Sequence, residues 1–346
     1  MHRRYSGAPL RLVRASSLAR YVRYLQLIGA PVGRLLERSG IPAMLLHHPE
    51  AVLPLETALR FLEIACRSVG TQQLGLEVAL ELTWKGLGAY GQMLQRARTL
   101  HQYLREGIAA YDGLITGQRV WLTEHGEELR FHVANANPPG IATYQAEVET
   151  LVVTIMKCRE TAGPGWSPRE IHLGYRTAEP LPDVEPLDGS RILRGGGETY
   201  FTIPRNLSAQ RLPCGARLPI PASDPASPAG RTLPTGLRDT VQLQIENLLL
   251  LRAHHVDTVA ETLSMSRRTL QRLLADQGLS YSRLLAEARL HRAVDWLENT
   301  DKPVGEIAFD LGYSDASNFT RAFRRQIGLS PKAFRDAREK VVPLDR

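Results

Sequence analysis

The sequence has few cysteines and no long apolar run, and both features limit the classes of protein that it can encode. Its 346 residues include three cysteines, Cys66, Cys158 and Cys214, which are far apart and odd in number. This usage predicts reduced thiols in a cytoplasmic protein rather than a disulfide framework. The longest apolar runs, such as 248–251, span only a few residues, so no membrane-spanning segment and no membrane partner are predicted.

The sequence also lacks the patterns that support catalysis or metal binding. Its ten histidines include adjacent pairs at 47–48 and 254–255, which cannot both face one metal from a helix, and neither HExxH nor CxxC occurs. No G-x-S-x-G motif is present, and Cys158 lies in an apolar helical stretch that is typical of a buried, unreactive thiol. We therefore expect no enzyme active site, no metal and no cofactor.

The formal net charge of +7 is unevenly distributed. Residues 1–36 contain seven arginines and no acidic residue, so the rest of the chain sums to zero. The overall charge is therefore weak evidence for a polyanionic partner. Residues 321–338 hold five arginines and one lysine against one aspartate, and this local cluster is better evidence.

The C-terminal third contains an internal repeat. Residues 259–266 resemble residues 307–314 at an offset of 48, and beyond them Leu270 corresponds to Phe319 and Leu274 to Phe323 at an offset of 49. Each copy predicts a helix, a tight turn and a second helix. The apolar residues of each second helix recur at helical spacing, and polar residues occupy the opposite face.

The polar faces favour DNA binding. Each second helix would enter a major groove, with long donor side chains on base edges and arginines on phosphates. The alternative is that these arginines form an ordinary solvated face. Two copies rich in Arg, Gln, Asn and Ser favour the first interpretation.

Residues 282–299 predict one long helix between the copies. At roughly 1.5 Å per residue it is a spacer of about 27 Å, which suits recognition helices about one DNA turn apart.

The motifs of this region closely resemble those of the AraC/XylS family of bacterial transcription regulators. The similarity extends from near residue 238 to near residue 340, and it includes residues 266–272, Arg289, 307–308, 312–313, 321–325, 330–331 and 334–335. The resemblance implies base-contacting positions at Arg268, Gln271, Arg272, Ala316, Ser317, Asn318 and Arg321. We assign phosphate contacts to Arg267, Thr320, Arg324, Arg325, Lys332 and Arg335. The expected partners are double-stranded DNA, RNA polymerase and a second copy of the chain, which would form a homodimer.

The N-terminal region is predicted to be an α+β domain, with helices on one side of a small, mostly antiparallel sheet. The pattern predicts helices at 18–39, 55–69, 92–110 and 143–161, and strands at 114–123, 128–134, 169–174 and 198–203. The region from 18 to 213 resembles the arabinose-binding-type regulatory domain of one branch of the family. Candidate aromatic residues for a small-molecule effector pocket are Trp84, Tyr90, Tyr103, Tyr111, Trp121 and Tyr144.

The predicted organisation is a flexible basic arm at 1–17, a ligand-sensing domain at 18–212, a proline-rich linker at 213–236 and an all-α DNA-binding domain with two helix-turn-helix motifs at 237–340. Six of the 25 residues from 212 to 236 are proline, which is typical of a linker. The predicted function is a ligand-responsive transcription activator. The alternative is a DNA alkyl-acceptor regulator that uses Cys214, although no histidine follows this cysteine to lower its pKa.

Overall fold

The computed structural model describes residues 10–81, 86–175, 181–213, 232–249 and 252–339. They form two compact units, residues 11–234 and the residues from Thr235 onward, and the division falls inside the predicted linker. Trp84, Cys214, residues 1–9 and most of the predicted linker lie outside the described residues. None of the described helices is both long enough and apolar enough to span a membrane.

The N-terminal unit begins with a small two-stranded sheet in which β1 (Leu12–Arg14) pairs antiparallel with β2 (Val52–Pro54). The helices of the unit are α1 Ala15–Leu27, α2 Val32–Ser39, α3 Leu55–Val69, α4 Leu74–Glu81, α5 Gly88–Leu94, α6 Leu100–Ala109, α7 Ile141–Ala162 and α8 Arg205–Ser208.

Three predictions for this region are wrong in their bounds. The flexible arm cannot extend to residue 17, because Leu12 and Val13 are buried in a strand and α1 starts at Ala15. The helix predicted at 18–39 is two helices, separated by a turn that includes Gly29 at φ +73° and Pro31. The helix predicted at 92–110 is also two, because the second starts at a new N-cap. There the Thr99 hydroxyl accepts from the Gln102 backbone N–H at 3.1 Å.

The main sheet has five strands in the order β3-β4-β7-β5-β6, and only the β5–β6 pair is parallel. Its strands are β3 Gln118–His125, β4 Glu128–Asn135, β5 Glu170–Leu173, β6 Arg191–Arg194 and β7 Thr199–Pro204. Strands β4, β5 and β7 match the predicted strands within one residue at each end, whereas β3 starts at Gln118, four residues later than predicted. Strands β1, β2 and β6 were not predicted. Helix α7 packs on β4 and β7 and against α4. A Cβ at Gly75 would lie 2.1 Å from the Gln145 carbonyl oxygen, so α4 and α7 can approach this closely only with glycine there.

The described part of the C-terminal unit consists of helices. They are α9 Leu237–Leu249, α10 Val256–Thr262, α11 Arg267–Ala275, α12 Tyr281–Asn299, α13 Val304–Asp310, α14 Ala316–Ile327 and α15 Pro331–Glu339. The long helix predicted at 282–299 is α12.

The spacing of the apolar residues Ala286, Leu290, Ala293 and Leu297 predicts one stripe along α12. The buried stripe of α12 differs from this prediction in its first half. Leu284 and Ala288 are fully buried there, whereas Ala286 of the predicted stripe is only half-buried. The reason is that the first half of α12 packs on α9, while Ala293 and Leu297 in its second half join the core of α13 and α14.

Candidate nucleic-acid interface and ligand cavities

The pairs α10–α11 and α13–α14 have the same local geometry. In both pairs the residue two positions after the first helix has a left-handed backbone, Ser264 at φ +56° and Gly312 at φ +76°. The residue directly after it closes the turn onto a small buried alanine in each pair. The Met265 N–H donates to the Ala260 carbonyl at 2.8 Å, and the Tyr313 N–H donates to the Ala308 carbonyl at 3.0 Å. The sequence repeat is therefore also a structural repeat.

Helix α11 presents a long polar face. Ser266 caps its N-terminus by accepting from the Thr269 backbone N–H at 3.1 Å. Leu270 and Leu274 are fully buried on one side. The opposite side exposes the three predicted base-contacting residues, Arg268, Gln271 and Arg272.

Helix α14 presents shorter side chains and is capped by Asp315. The Asp315 carboxylate accepts from the Asn318 backbone N–H at 2.7 Å, and this bond is the main cause that lowers the pKa of Asp315. Ala316, Ser317 and Arg321 are exposed. The half-buried Asn318 amide donates to the Ser314 hydroxyl at 2.8 Å and to Asp315, and its oxygen accepts from Arg321. Two of the predicted base contacts are therefore held in this capping network.

Most predicted phosphate contacts are on the surface. The exposed residues among them are Arg267, Arg324, Arg325 and Lys332, and Thr320 is half-buried. Arg335 differs, because its guanidinium donates to the Lys302 carbonyl oxygen at 2.6 Å. A phosphate contact by Arg335 would have to share or replace this bond.

A guanidinium on α12 joins the two helix pairs. Arg289 donates at 3.1 Å to Nε2 of His254, just before α10, and at 3.1 Å to the Gly312 carbonyl in the second turn. Its guanidinium also lies over the Tyr313 ring at 4.8 Å, and the Tyr281 hydroxyl donates to the His254 carbonyl at 2.6 Å. Burial, with Arg289 nearby, lowers the pKa of His254 to about 4, so its ring is neutral at pH 7 and accepts this bond. Sequence reasoning missed His254.

The six candidate pocket aromatics do not share one pocket. Tyr90, Tyr103 and Tyr111 line a cavity of about 100 Å³ in the helical core of the N-terminal unit, here called the tyrosine cavity. Trp121 stacks on His132 at 4.8 Å on the sheet and lines neither described cavity.

Tyr144 lines a second cavity of about 520 Å³, here called the Glu147 cavity. It lies between the end of β4, the start of α7 and the segment after β5. The sequence did not single out Glu147, because a lone acidic residue in an amphipathic helix carries no motif. Its burial, at 3% exposed, is a property of the fold.

The described residues contain no group of three or more His, Cys, Asp or Glu side chains that could hold a metal ion. Cys66 and Cys158 are buried free thiols, and burial raises the pKa of both.

The chain matches two models of known protein families. Residues 29–212, more than half of the chain, match the arabinose-binding domain of AraC transcription regulators, and residues 259–337 match a helix-turn-helix domain. VirS of Mycobacterium tuberculosis, an HTH-type transcriptional regulator, is 28% identical over 94% of this chain and 96% of its own length. VqsM of Pseudomonas aeruginosa is 38% identical over 30% of this chain and 31% of its own length. The activator RhaS of an Enterobacter species is 39% identical over 24% of this chain and 30% of its own length.

Proposed function

This chain belongs to the AraC/XylS family of DNA-binding transcription regulators, and we propose that α11 and α14 bind two adjacent major-groove half-sites. Members of this family are not enzymes, and the comparisons do not support the alkyl-acceptor alternative at Cys214. The comparisons support a ligand-responsive regulator.

The observation that carries the proposal is the repeated geometry of two capped helices with a buried apolar side and an exposed polar side. In the helix-turn-helix, the second helix enters the major groove and its N-terminal residues contact base edges. Both α11 and α14 have that position in their pair. The 19 residues of α12 span about 28 Å at roughly 1.5 Å per residue. That length suits recognition helices on one face of the duplex, with half-sites about 10 bp apart.

We assign most of the sequence specificity to α11. Arg268, Gln271 and Arg272 are long donors, and bidentate Arg and Gln contacts discriminate between bases. The second pair offers shorter groups at α14, with Arg324, Arg325 and other cations nearby. Phosphate contacts fix register and respond to salt, but they carry no base identity. We therefore assign most of the electrostatic affinity to α13–α15.

Selection of DNA sites from a random pool by the full-length protein tests the proposal. Two conserved boxes about one helical turn apart are expected, with the sharper base preferences in the box bound by α11. A single conserved box, or equal affinity for all sequences, would contradict it.

Regulation is assigned to the N-terminal unit, where we propose that a small-molecule effector binds. RhaS is named an activator. We propose that this chain also activates transcription, through contact with RNA polymerase. A homodimer is the assembly to test, by light scattering with and without DNA.

A further inference from the structure

The two cavities of the N-terminal unit differ in the state of their polar groups. In the tyrosine cavity the Tyr90 hydroxyl donates to the Gly107 carbonyl at 3.0 Å, and Tyr111 bonds to Thr150 at 3.3 Å. The half-buried carboxylate of Glu149, which also lines this cavity, is ion-paired with an arginine. Ser17 Oγ is a buried lining atom without a hydrogen-bond partner in the described chain. A volume of about 100 Å³ is nevertheless below the usual range for a small-molecule site, so this cavity offers little room to a polar ligand.

Among the residues that the structure describes, the buried carboxylate of the Glu147 cavity has no cationic partner. Oε1 of Glu147 accepts from the Asn135 backbone N–H at 3.0 Å, the Asn135 side-chain amide at 3.1 Å and the Tyr175 hydroxyl at 2.7 Å. Within the described part of the chain, Oε2 accepts one hydrogen bond, from the Thr199 hydroxyl at 2.7 Å. All these donors are neutral, and within the described residues no lysine, arginine or histidine forms an ion pair with Glu147. Burial raises the pKa of Glu147, and these hydrogen bonds oppose that shift.

Two further buried amide atoms line this cavity without a hydrogen-bond partner in the described chain. They are Oδ1 of Asn135 and Nδ2 of Asn137. The orientation of the Asn135 amide is fixed, because its nitrogen donates to Glu147 and its oxygen must therefore be the remaining acceptor. The orientation of the Asn137 amide is fixed in the same way, since its oxygen accepts from Arg11 at 2.7 Å. An unpaired buried polar atom is destabilising, so a ligand that forms hydrogen bonds with both atoms removes that penalty.

The cavity thus presents two acceptors, Oε2 of Glu147 and Oδ1 of Asn135, and one donor, Nδ2 of Asn137. Tyr144 and Tyr175 add aromatic surface, with ring centroids 5.8 Å apart in an edge-on arrangement. A volume of about 520 Å³ is within the usual range for a small-molecule site.

We infer that the Glu147 cavity is the effector site and that it binds a small solute with a primary ammonium group, an amine or an amino acid. The ammonium pairs with the Glu147 carboxylate and donates to Asn135, beside the tyrosine rings. An acceptor on the ligand, such as the carboxylate of an amino acid, takes the hydrogen bond from Asn137. This assignment rests on the proposed effector role of the N-terminal unit.

Calorimetry and thermal unfolding of the full-length protein test this assignment. The probes are putrescine as an amine, L-lysine as an amino acid, succinate as an anion and L-arabinose as a neutral sugar, each at about 10 mM, where a ligand that binds only the folded state raises Tm. We expect binding and a higher Tm with at least one ammonium-bearing probe and with neither of the other two. If only L-lysine binds, the ligand is an amino acid; if putrescine binds equally well, it is an amine.

Glu147→Gln keeps the size of the side chain and removes its charge. It should weaken binding of the ammonium probe roughly ten- to hundredfold, as expected for a charge-assisted hydrogen bond. Glu170→Gln, in which the altered carboxyl accepts from Tyr200 on the same unit, is the matched control and should bind normally. Asn137→Ala is a second variant, and it should weaken L-lysine more than putrescine.

No binding of either ammonium probe, equal binding by Glu147→Gln, or a larger shift with succinate or arabinose would overturn the assignment. These measurements contain no DNA. If the protein selects a two-box DNA site but binds neither ammonium probe, only the ligand class is rejected. If it binds an ammonium probe but selects no two-box site, only the proposed DNA contacts are rejected.

Discussion

Arg289 donates a hydrogen bond of 3.1 Å to the carbonyl oxygen of Gly312, and it thereby joins the long helix α12 to the turn of the second helix pair. The same guanidinium donates to His254 beside the first pair. We expect the relative position of α11 and α14 to depend on these Arg289 contacts as well as on the length of α12.

Arg289→Ala should lower the free energy of unfolding of the C-terminal unit by about 1–3 kcal/mol, because the substitution removes the charged donor of the hydrogen bonds to the His254 ring and the Gly312 carbonyl. Urea denaturation followed by tryptophan fluorescence measures this. Arg283→Ala is the control, since Arg283 is exposed and its pair with Glu287 is a surface pair worth about 0–1 kcal/mol. Equal losses from the two substitutions would show that the Arg289 contact adds no stability.

Gly312→Ala should be destabilising by about 1–3 kcal/mol, for two reasons. The residue has φ +76°, and an added Cβ would lie 2.6 Å from Cε1 of His254. In a His254→Ala background the same substitution should cost less, because the clash with the ring is removed and only the backbone strain and a 3.2 Å contact with the Arg289 guanidinium remain. Gly305→Ala, at a helical site with open space around it, is the control and should not destabilise. Identical costs with and without the His254 ring would contradict the close contact.

The free energy of unfolding of the C-terminal unit should decrease as pH is lowered from about 6.5 to about 4. His254 has a pKa of about 4 in the folded chain and an ordinary value of 6.5 when unfolded. In this window the unfolded chain binds more protons, so stability is present above about 6.5 and is lost as pH falls. Buried His132 in the other unit also has a lowered pKa and acts in the same direction.

The difference between wild type and His254→Gln isolates the contribution of His254. Urea midpoints measured across this window should converge at low pH, because the variant has no proton to gain there. A constant difference at every pH would show that His254 does not titrate in this way.

Substitution of recognition-helix arginines should change base preference. Arg268→Ala and Arg321→Ala should each cost about 1–3 kcal/mol on the selected site and relax preference in their own half-box. Lys332→Ala should instead weaken binding to all sequences and reduce the salt slope by about 1. Competition binding with single-base variants at several salt concentrations measures both effects. Equal losses on selected and random DNA for all three would show that none contacts a base.

Much of the C-terminal unit follows from the sequence, because its information is local. The spacing of Leu270 and Leu274, and of Phe319 and Phe323, marks the buried faces of α11 and α14. The unbroken run at 282–299 specifies α12. Local patterns do not reveal that α12 packs on α9 in its first half and on α13 and α14 in its second half. The burial of Leu284 was therefore not predicted.

The N-terminal unit was less predictable, because long-range pairing decides its structure. Strand β1 has three residues and forms by pairing with β2, in which Arg14 lies opposite Val52, 38 residues further along the chain. The site residues show the same limit. Tyr90 and Tyr144 look alike as aromatic residues in helices, yet they line different cavities. Glu147 gains its role from burial against Asn135 and Thr199, which no sequence spacing shows.

The central claim is that two recognition helices bind one face of the duplex in fixed register. The most direct measurement is the affinity of full-length protein for its selected site with about 5 bp inserted between the half-boxes, half of a helical turn of roughly 10 bp. Insertion should reduce binding to that of a single half-box, and insertion of a full turn should not restore it, because α12 cannot lengthen. Unchanged affinity after the half-turn insertion would contradict the account.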